Sequence, residues 1–358
     1  MNSPLRAWTT PFAPQVTQAP HIPGLKTRFI SPQEVSNDDA AVNLVVVAEP
    51  NFDRSADALK RVFIAHRSTL LGILRDHGNI LFRGFDVDAD QFDEIVNAGF
   101  ETDRFLWMFP MAPKWSRRML ALPVIGKMIR SLLGWIEATA TGREIVGENQ
   151  STLANDQTIQ FPHHEYGIFF NVPRVLAFFC HQDAEKEGET IICDAHAGFE
   201  AMHEDLRLHF QDTKHIRYRS ENQWYLPPFT APAVLHHPMD GQPSMNFTAY
   251  QHDVFGQIAS QRFPQHTICT EDLDATFSFE PVFFMNDGEK NTLNETQVAD
   301  LAHAHLDHSV LLRWKKNDVL LMDNFRVVHG RLNAGLPSKK TLKIILCDYV
   351  RNTNRFTW

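Results

Sequence analysis

Three residues of this 358-residue chain could share one piece of chemistry: His163, Glu165 and His329. The first two lie in Phe161-Pro162-His163-His164-Glu165-Tyr166, and the third lies in Leu321-Met322-Asp323-Asn324-Phe325-Arg326-Val327-Val328-His329-Gly330-Arg331. Two imidazoles and one carboxylate can hold a divalent iron on one face and leave the opposite face open. On a strand, residues two apart point the same way, so His163 and Glu165 would converge while His164 faces away. On a helix the pair would diverge. His329 ends an apolar run and is followed by glycine, so it could point into a barrel mouth. The ordinary alternatives are a solvated H-x-E turn and a core histidine bonded to a backbone carbonyl.

The elements that must position these residues are readable in outline. Residues 1–40 are rich in Pro, Thr and Ser and read as an extended N-terminal arm. Asn43 to Ala48 is a short apolar run, consistent with a strand. Ala56 to His77 has apolar residues at helical spacing and stops at Gly78, and Asn79 to Phe85 reads as a strand closing in a turn. Ala89 to Gly99 is a second helix, starting near Asp88. From Gly147 the pattern changes to short Val-, Ile-, Phe- and Thr-rich runs between turns. These runs are 168–170, 175–181, 190–194, 215–220, 310–314, 318–322 and 342–350. This spacing is mainly β, of the barrel or jelly-roll kind. Asn294 to His305 is the one clear late helix. The picture is one domain over 41–358, with a helical insertion at about 104–146 and a lid or pocket insertion at about 221–290.

Composition sets limits. The chain is 43% hydrophobic and 22% charged, which suits a sizeable core. A net charge of −9, from 34 Lys and Arg against 43 Asp and Glu, leaves no basic excess for phosphates and argues against nucleic acid. Cys180, Cys193, Cys269 and Cys347 are widely spaced and suggest no disulfide framework. No basic segment precedes an apolar one at the N-terminus, so a cytoplasmic location is expected. The stretch 115–136 is apolar but carries Arg117, Arg118, Lys127 and Arg130, too much charge to span a bilayer. It reads as a helical hairpin broken near Pro123, or else as an amphipathic helix on a membrane or partner. His303, His305 and His308 read as solvated, and His236-His237-Pro238 reads as loop.

Four motifs in order make a family resemblance. They are Ile80-Leu81-Phe82-Arg83-Gly84-Phe85; Pro162-His163-His164-Glu165; Ala177 to Cys180 with Glu187-Gly188-Glu189-Thr190; and Trp314 to Arg331, which looks like the pattern W-x-x-G-D…D-N…H-G-R. Over roughly residues 78–350 the chain resembles the Fe(II)/2-oxoglutarate-dependent dioxygenases of the taurine dioxygenase (TauD/TfdA) family. It resembles especially the clavaminate synthase-like and syringomycin-biosynthesis-like members.

That resemblance implies a double-stranded β-helix (jelly-roll) core with His163, Glu165 and His329 on iron. 2-Oxoglutarate and O2 would take the remaining positions. Related halogenases carry Gly or Ala at the Glu165 position, so this chain suits hydroxylation better than chlorination. Thr190 matches a threonine that hydrogen-bonds the cosubstrate. The family's arginine for the distal carboxylate is missing from Leu332 to Thr341. Lys340, Lys339 or Arg331 could supply the cation instead. Arg217, Arg219 and His164 are substrate-contact candidates, with surface charge as the plainer reading of the two arginines.

The expected reaction is hydroxylation of an unactivated carbon in an amino acid or natural-product intermediate, free or carrier-bound. Succinate and CO2 would be released. Desaturation, epoxidation, cyclisation and C–C cleavage are alternatives that the ligand set does not separate. A second alternative, motivated by the missing arginine, is a non-catalytic jelly-roll binding protein.

Overall fold

The computed structural model describes residues 18–37, 40–102, 122, 124–128, 131, 144–146, 151–154, 160–167, 171–184, 187–219, 229–246, 253–266, 268, 280–285, 290–331 and 340–351. In chain order the first strands are β1 (Leu25–Phe29), β2 (Val45–Pro50), β3 (Asn79–Phe82), β4 (Glu144–Val146), β5 (Ser151–Ala154), β6 (Gln160–His163), β7 (Asn171–Gln182) and β8 (Thr190–Asp194). They are followed by β9 (Thr213–Arg219), β10 (Phe229–Ala231), β11 (Val234–His236), β12 (Pro243–Met245), β13 (Glu280–Met285) and β14 (Lys290–Asn291). The last four are β15 (Ser309–Leu312), β16 (Val319–Asp323), β17 (Val327–Arg331) and β18 (Thr341–Arg351).

Two sheets dominate. The larger runs β1-β2-β3-β16-β7-β18-β5-β4, and the smaller runs β15-β8-β17-β6. Their alternating side chains sort into three cores, as the two-residue period of a strand requires. Leu176, Phe178, Leu320, Met322, Ile344 and Leu346 of the large sheet share one cluster with Ile192, Val310, Leu312 and Val327 of the small one. That cluster lies between the sheets. Val175, Ala177, Phe179, Val319 and Leu321 face the other way, onto helices Ala56–Ala65, Arg67–His77 and Ala89–Gly99. Ile191, Cys193, Leu311 and Val328 face a third cluster, built with helices Ala195–Ala201, Asp253–Arg262 and Glu295–Leu306. The fold is therefore mainly β, with helices on both outer faces.

Several expectations need correcting. The helix expected over 56–77 breaks at His66, which leaves helical geometry at φ −118°. The two halves serve different partners. Phe63 packs against Gly99 of the third helix, where even a Cβ would come within 2.9 Å, while Leu70 to Leu74 cover the sheet. The arm is also built in from residue 18 onward. β1 pairs along β2, and Val35 then bridges to Leu312 of β15. Asn37 donates to Ser309 O and accepts from Leu311 N, so the segment fastens both sheets. Residues 1–17 lie outside the described residues.

The second insertion is partly core: Phe255, Ile258 and Ala259 of its helix are buried against the small sheet's outer face. Most of 104–146 lies outside the described residues; within it 124–128 are helical and 144–146 form β4. Among the described residues no helix is long and apolar enough to cross a membrane. Cys180, Cys193 and Cys347 are buried free thiols on strands. Cys269 lies outside the described residues.

Candidate metal centre

β6 and β17 are neighbours in the small sheet, and the register sets His163 directly against His329. Val327 faces the inter-sheet core and Val328 the outer one, so alternation turns His329 inward. The close approach of β6 depends on Gly330. A Cβ there would meet Gln160 O at 2.3 Å and Phe161 C at 2.7 Å. The glycine after the histidine therefore admits β6 beside β17, and β17 runs on to Arg331 instead of turning away.

Glu165 follows β6 in a turn. Its Oε2 lies 3.5 Å from His163 Nε2 and 3.7 Å from His329 Nε2. All three side chains are buried, with their candidate donor atoms within 4.8 Å of one another. Three donors at about 2.1 Å on one face of a metal lie roughly 3 Å apart, so small rotations complete the set. His163 Nδ1 donates to Phe161 O at 2.8 Å, which leaves Nε2 with its lone pair toward the site. The imidazoles are 4.7 Å apart at 42°, and Phe178 closes on His329 at 5.3 Å. Two imidazoles and a carboxylate fit a divalent iron.

The Glu165 turn is held by its backbone. Glu165 N donates to Asn324 Oδ1, and Asn324 Nδ2 donates to Glu165 O and Pro173 O. Tyr166 takes φ +56°, a left-handed conformation that is costly for a bulky residue and persists only where its surroundings fix it. Next to Asn324, Asp323 is fully buried. It accepts from Arg174 Nε at 3.1 Å and bonds His237 Nε2 at 3.1 Å. Burial pushes its carboxyl up, but His237 and Arg174 outweigh burial and hold it below the usual range. His237 does lie in the loop after β11, but it is buried there and pairs with Asp323 and Asp240. Asp240 stands three residues on, at 3.1 Å from Nδ1, while Asp323 comes 86 residues later.

Thr190 opens β8 with its hydroxyl accepting from Trp314 Nε1 at 2.9 Å. It lies on the strand parity of Ile192, toward the inter-sheet core. Lys340 is buried and donates to Gly188 O. Burial, and then the nearby Arg331 cation, push its ammonium down to about 7. Arg331 is thus near enough for its charge to act on Lys340. Lys339 lies outside the described residues. His164 is wholly buried. Arg217 and Arg219 sit on β9, in a separate sheet ordered β10-β9-β13-β14, in register with Val282 and Glu280. His305 corrects the solvated reading: it is fully buried, and burial lowers its imidazole to about 4.

Residues 50–343 match the model of the family described as taurine catabolism dioxygenase TauD, TfdA family. A clavaminate synthase-like protein of Arabidopsis thaliana is 24% identical over 328 residues, covering 84% of this chain and 89% of its own. PvcB of Pseudomonas aeruginosa superposes with a TM-score of 0.55 at 15% identity, over 92% of this chain and 95% of that one. A taurine dioxygenase of Burkholderia xenovorans superposes with a TM-score of 0.52 at 13% identity, over 93% of each chain. These structures share the fold. With the family model covering most of its length, the chain belongs to the TauD/TfdA dioxygenase family, an oxidoreductase that works with Fe(II), 2-oxoglutarate and O2.

Proposed function

We propose that the protein hydroxylates an unactivated carbon of an amino acid or natural-product intermediate, on a jelly-roll core with His163, Glu165 and His329 as iron ligands. The observation that carries the ligand assignment is the convergence of those three buried side chains on one point between β6 and β17. Iron with 2-oxoglutarate and O2 supplies an oxidant able to break a strong C–H bond, with release of succinate and CO2.

The chain's own part is to orient and to exclude water. Thr190 and the Lys340–Arg331 pair are our candidates for holding 2-oxoglutarate. Support comes from a buried Lys340 with the half-buried Arg331 near it, where a dicarboxylate would relieve their repulsion. Lysine is a point charge and grips a carboxylate with less directional control than a forked guanidinium. Arg217 and Arg219 are carried forward as cations for a substrate carboxylate. PvcB is described as an Fe, α-ketoglutarate-dependent oxygenase from an isonitrile synthetic pathway, which favours a biosynthetic intermediate here. Desaturation and the other oxidations of the same class stay open to a shift in substrate placement.

The test is anaerobic addition of Fe(II) and 2-oxoglutarate, followed by air with a panel of amino acids and their derivatives. An iron-to-keto-acid charge-transfer band, succinate, and a product heavier by one oxygen are expected. A product lighter by two hydrogens would replace hydroxylation with desaturation. No band and no succinate would overturn the reading.

A further inference from the structure

The turn carrying Glu165 is gripped from two sides. Asn324 holds it at Glu165. From the opposite direction Asn246, fully buried, uses its side-chain NH2 to donate to Gly167 O and to Pro232 O, both at 3.0 Å. The left-handed Tyr166 lies between those two anchored carbonyls. Asn246 ends the hairpin β11-β12, which belongs to the second insertion and is bolted to the other ligand-holding segment as well. His237 bonds Asp323, Ser244 Oγ donates to Phe325 O at 3.3 Å, and Gln242 Oε1 accepts from Arg326 at 2.8 Å. Leu235 packs with Phe325. One short hairpin thus touches both residues flanking Asn324 and the turn that Asn324 holds.

We propose that Asn246 is a positioning residue for Glu165: with Asn324 it pins the left-handed Tyr166 backbone, so the β11-β12 hairpin sets the aim of the carboxylate. The inference rests on the metal reading of the triad. Its physical basis is that a strained φ survives only while its surroundings over-determine it. Removing one of two clamps lets Tyr166 relax toward negative φ, and the carboxylate one residue earlier swings with it. A buried asparagine that only filled space would have no such link to Tyr166. Glycine adopts positive φ at no steric cost and would hold the turn without the second clamp.

The experiment is a Co(II) titration of the purified protein, followed by visible absorption, with thermal unfolding run in parallel. Asn246→Ala is expected to weaken Co(II) binding about tenfold, the scale of outer partners of metal ligands. Tyr166→Gly alone is expected to bind within about threefold of the parent, and the double variant to match Tyr166→Gly. Asn246→Ser, which keeps a shorter donor, should fall between parent and Asn246→Ala and serves if the alanine variant does not fold. Unchanged affinity in these Asn246 variants, or losses that simply add to those of Tyr166→Gly, would overturn the proposal. A parent protein that binds no Co(II) would instead overturn the metal reading beneath it.

Discussion

Asn324 and Glu165 bond to each other in both directions: the amide oxygen accepts from Glu165 N at 2.8 Å, and the amide NH2 donates to Glu165 O at 2.8 Å. The second hydrogen of that NH2 reaches Pro173 O. One side chain therefore satisfies three buried backbone groups, two of them on the residue that presents the carboxylate. Asn324→Ala would strand all three, at about 1–3 kcal/mol per group. We expect a loss of roughly 3 kcal/mol in a urea melt and a tenfold to hundredfold loss of Fe(II) affinity. Asn324→Asp should do no better, since a carboxylate cannot donate to Glu165 O and Pro173 O. A variant that kept metal affinity while losing stability would show that Asn324 serves only the fold.

Gly330→Ala is the sharpest test of how the two histidines meet. The new methyl would sit 2.3 Å from Gln160 O and 2.7 Å from Phe161 C, both backbone atoms of β6. Backbone cannot swing aside as a side chain can, so β6 must move away from β17. The His163–His329 pairing depends on that contact. We expect metal binding to fall at least tenfold and stability by roughly 2–4 kcal/mol. Both are read from one sample by metal titration and chemical denaturation.

Part of the site was legible: His163 ends β6 opposite His329. Glu165 lies in a turn beyond the strand, so Asn324 and the left-handed Tyr166 backbone, not the strand period, bring its carboxylate to His163. The motif residues between the two histidines were legible as a pattern but not as a cause. Arg83 and Asp318 come from different motifs and meet in a bidentate pair at 2.9 and 2.6 Å, so Asp318 is a buried partner and not the first residue of a strand. Asn317 stands where the family pattern has glycine and takes φ +67°, a conformation asparagine tolerates better than most residues. Asn246 could not be found by spacing, because its partners are backbone carbonyls, and the Asp323 partner of His237 lies 86 residues along the chain. The break at His66 had no glycine or proline to mark it. It follows from two packing directions that only the assembled layers define.

Lys340 gives a pH dependence with a definite sign. Its ammonium is held down to about 7, chiefly by burial and then by Arg331, well below the ordinary lysine value. The ligand-free site is therefore cationic below pH 7 and loses Lys340's charge above it. A bound carboxylate favours the protonated form, so binding takes up a proton at alkaline pH. The Kd for 2-oxoglutarate is expected to rise about tenfold per pH unit above 7, while the metal is kept saturated. Lys340→Met should abolish that slope and weaken 2-oxoglutarate roughly tenfold to hundredfold at pH 7, leaving Fe(II) affinity near that of the parent. A steep slope surviving in Lys340→Met would assign the titration to another group.

His305 predicts an acid limb in stability, independent of the metal. It sits in helix Glu295–Leu306 with Nδ1 bonded to Leu301 O at 2.9 Å. Its ring fills the space left by Gly198, where a Cβ would come within 2.9 Å of its Cδ2. Burial lowers its imidazole to about 4 from the ordinary 6.5. The unfolded chain therefore takes up a proton more readily than the folded one between those values. Stability from this group is complete above pH 6.5 and is lost as pH falls toward 4, on the order of 3 kcal/mol in all. His305→Leu keeps an apolar filling and removes the titration. It should cost about 1 kcal/mol at pH 7.5, where the bond to Leu301 O is lost, and should flatten the fall in Tm between pH 6.5 and 4.5. An acid limb of unchanged steepness in His305→Leu would mean that the charge enters elsewhere in the fold.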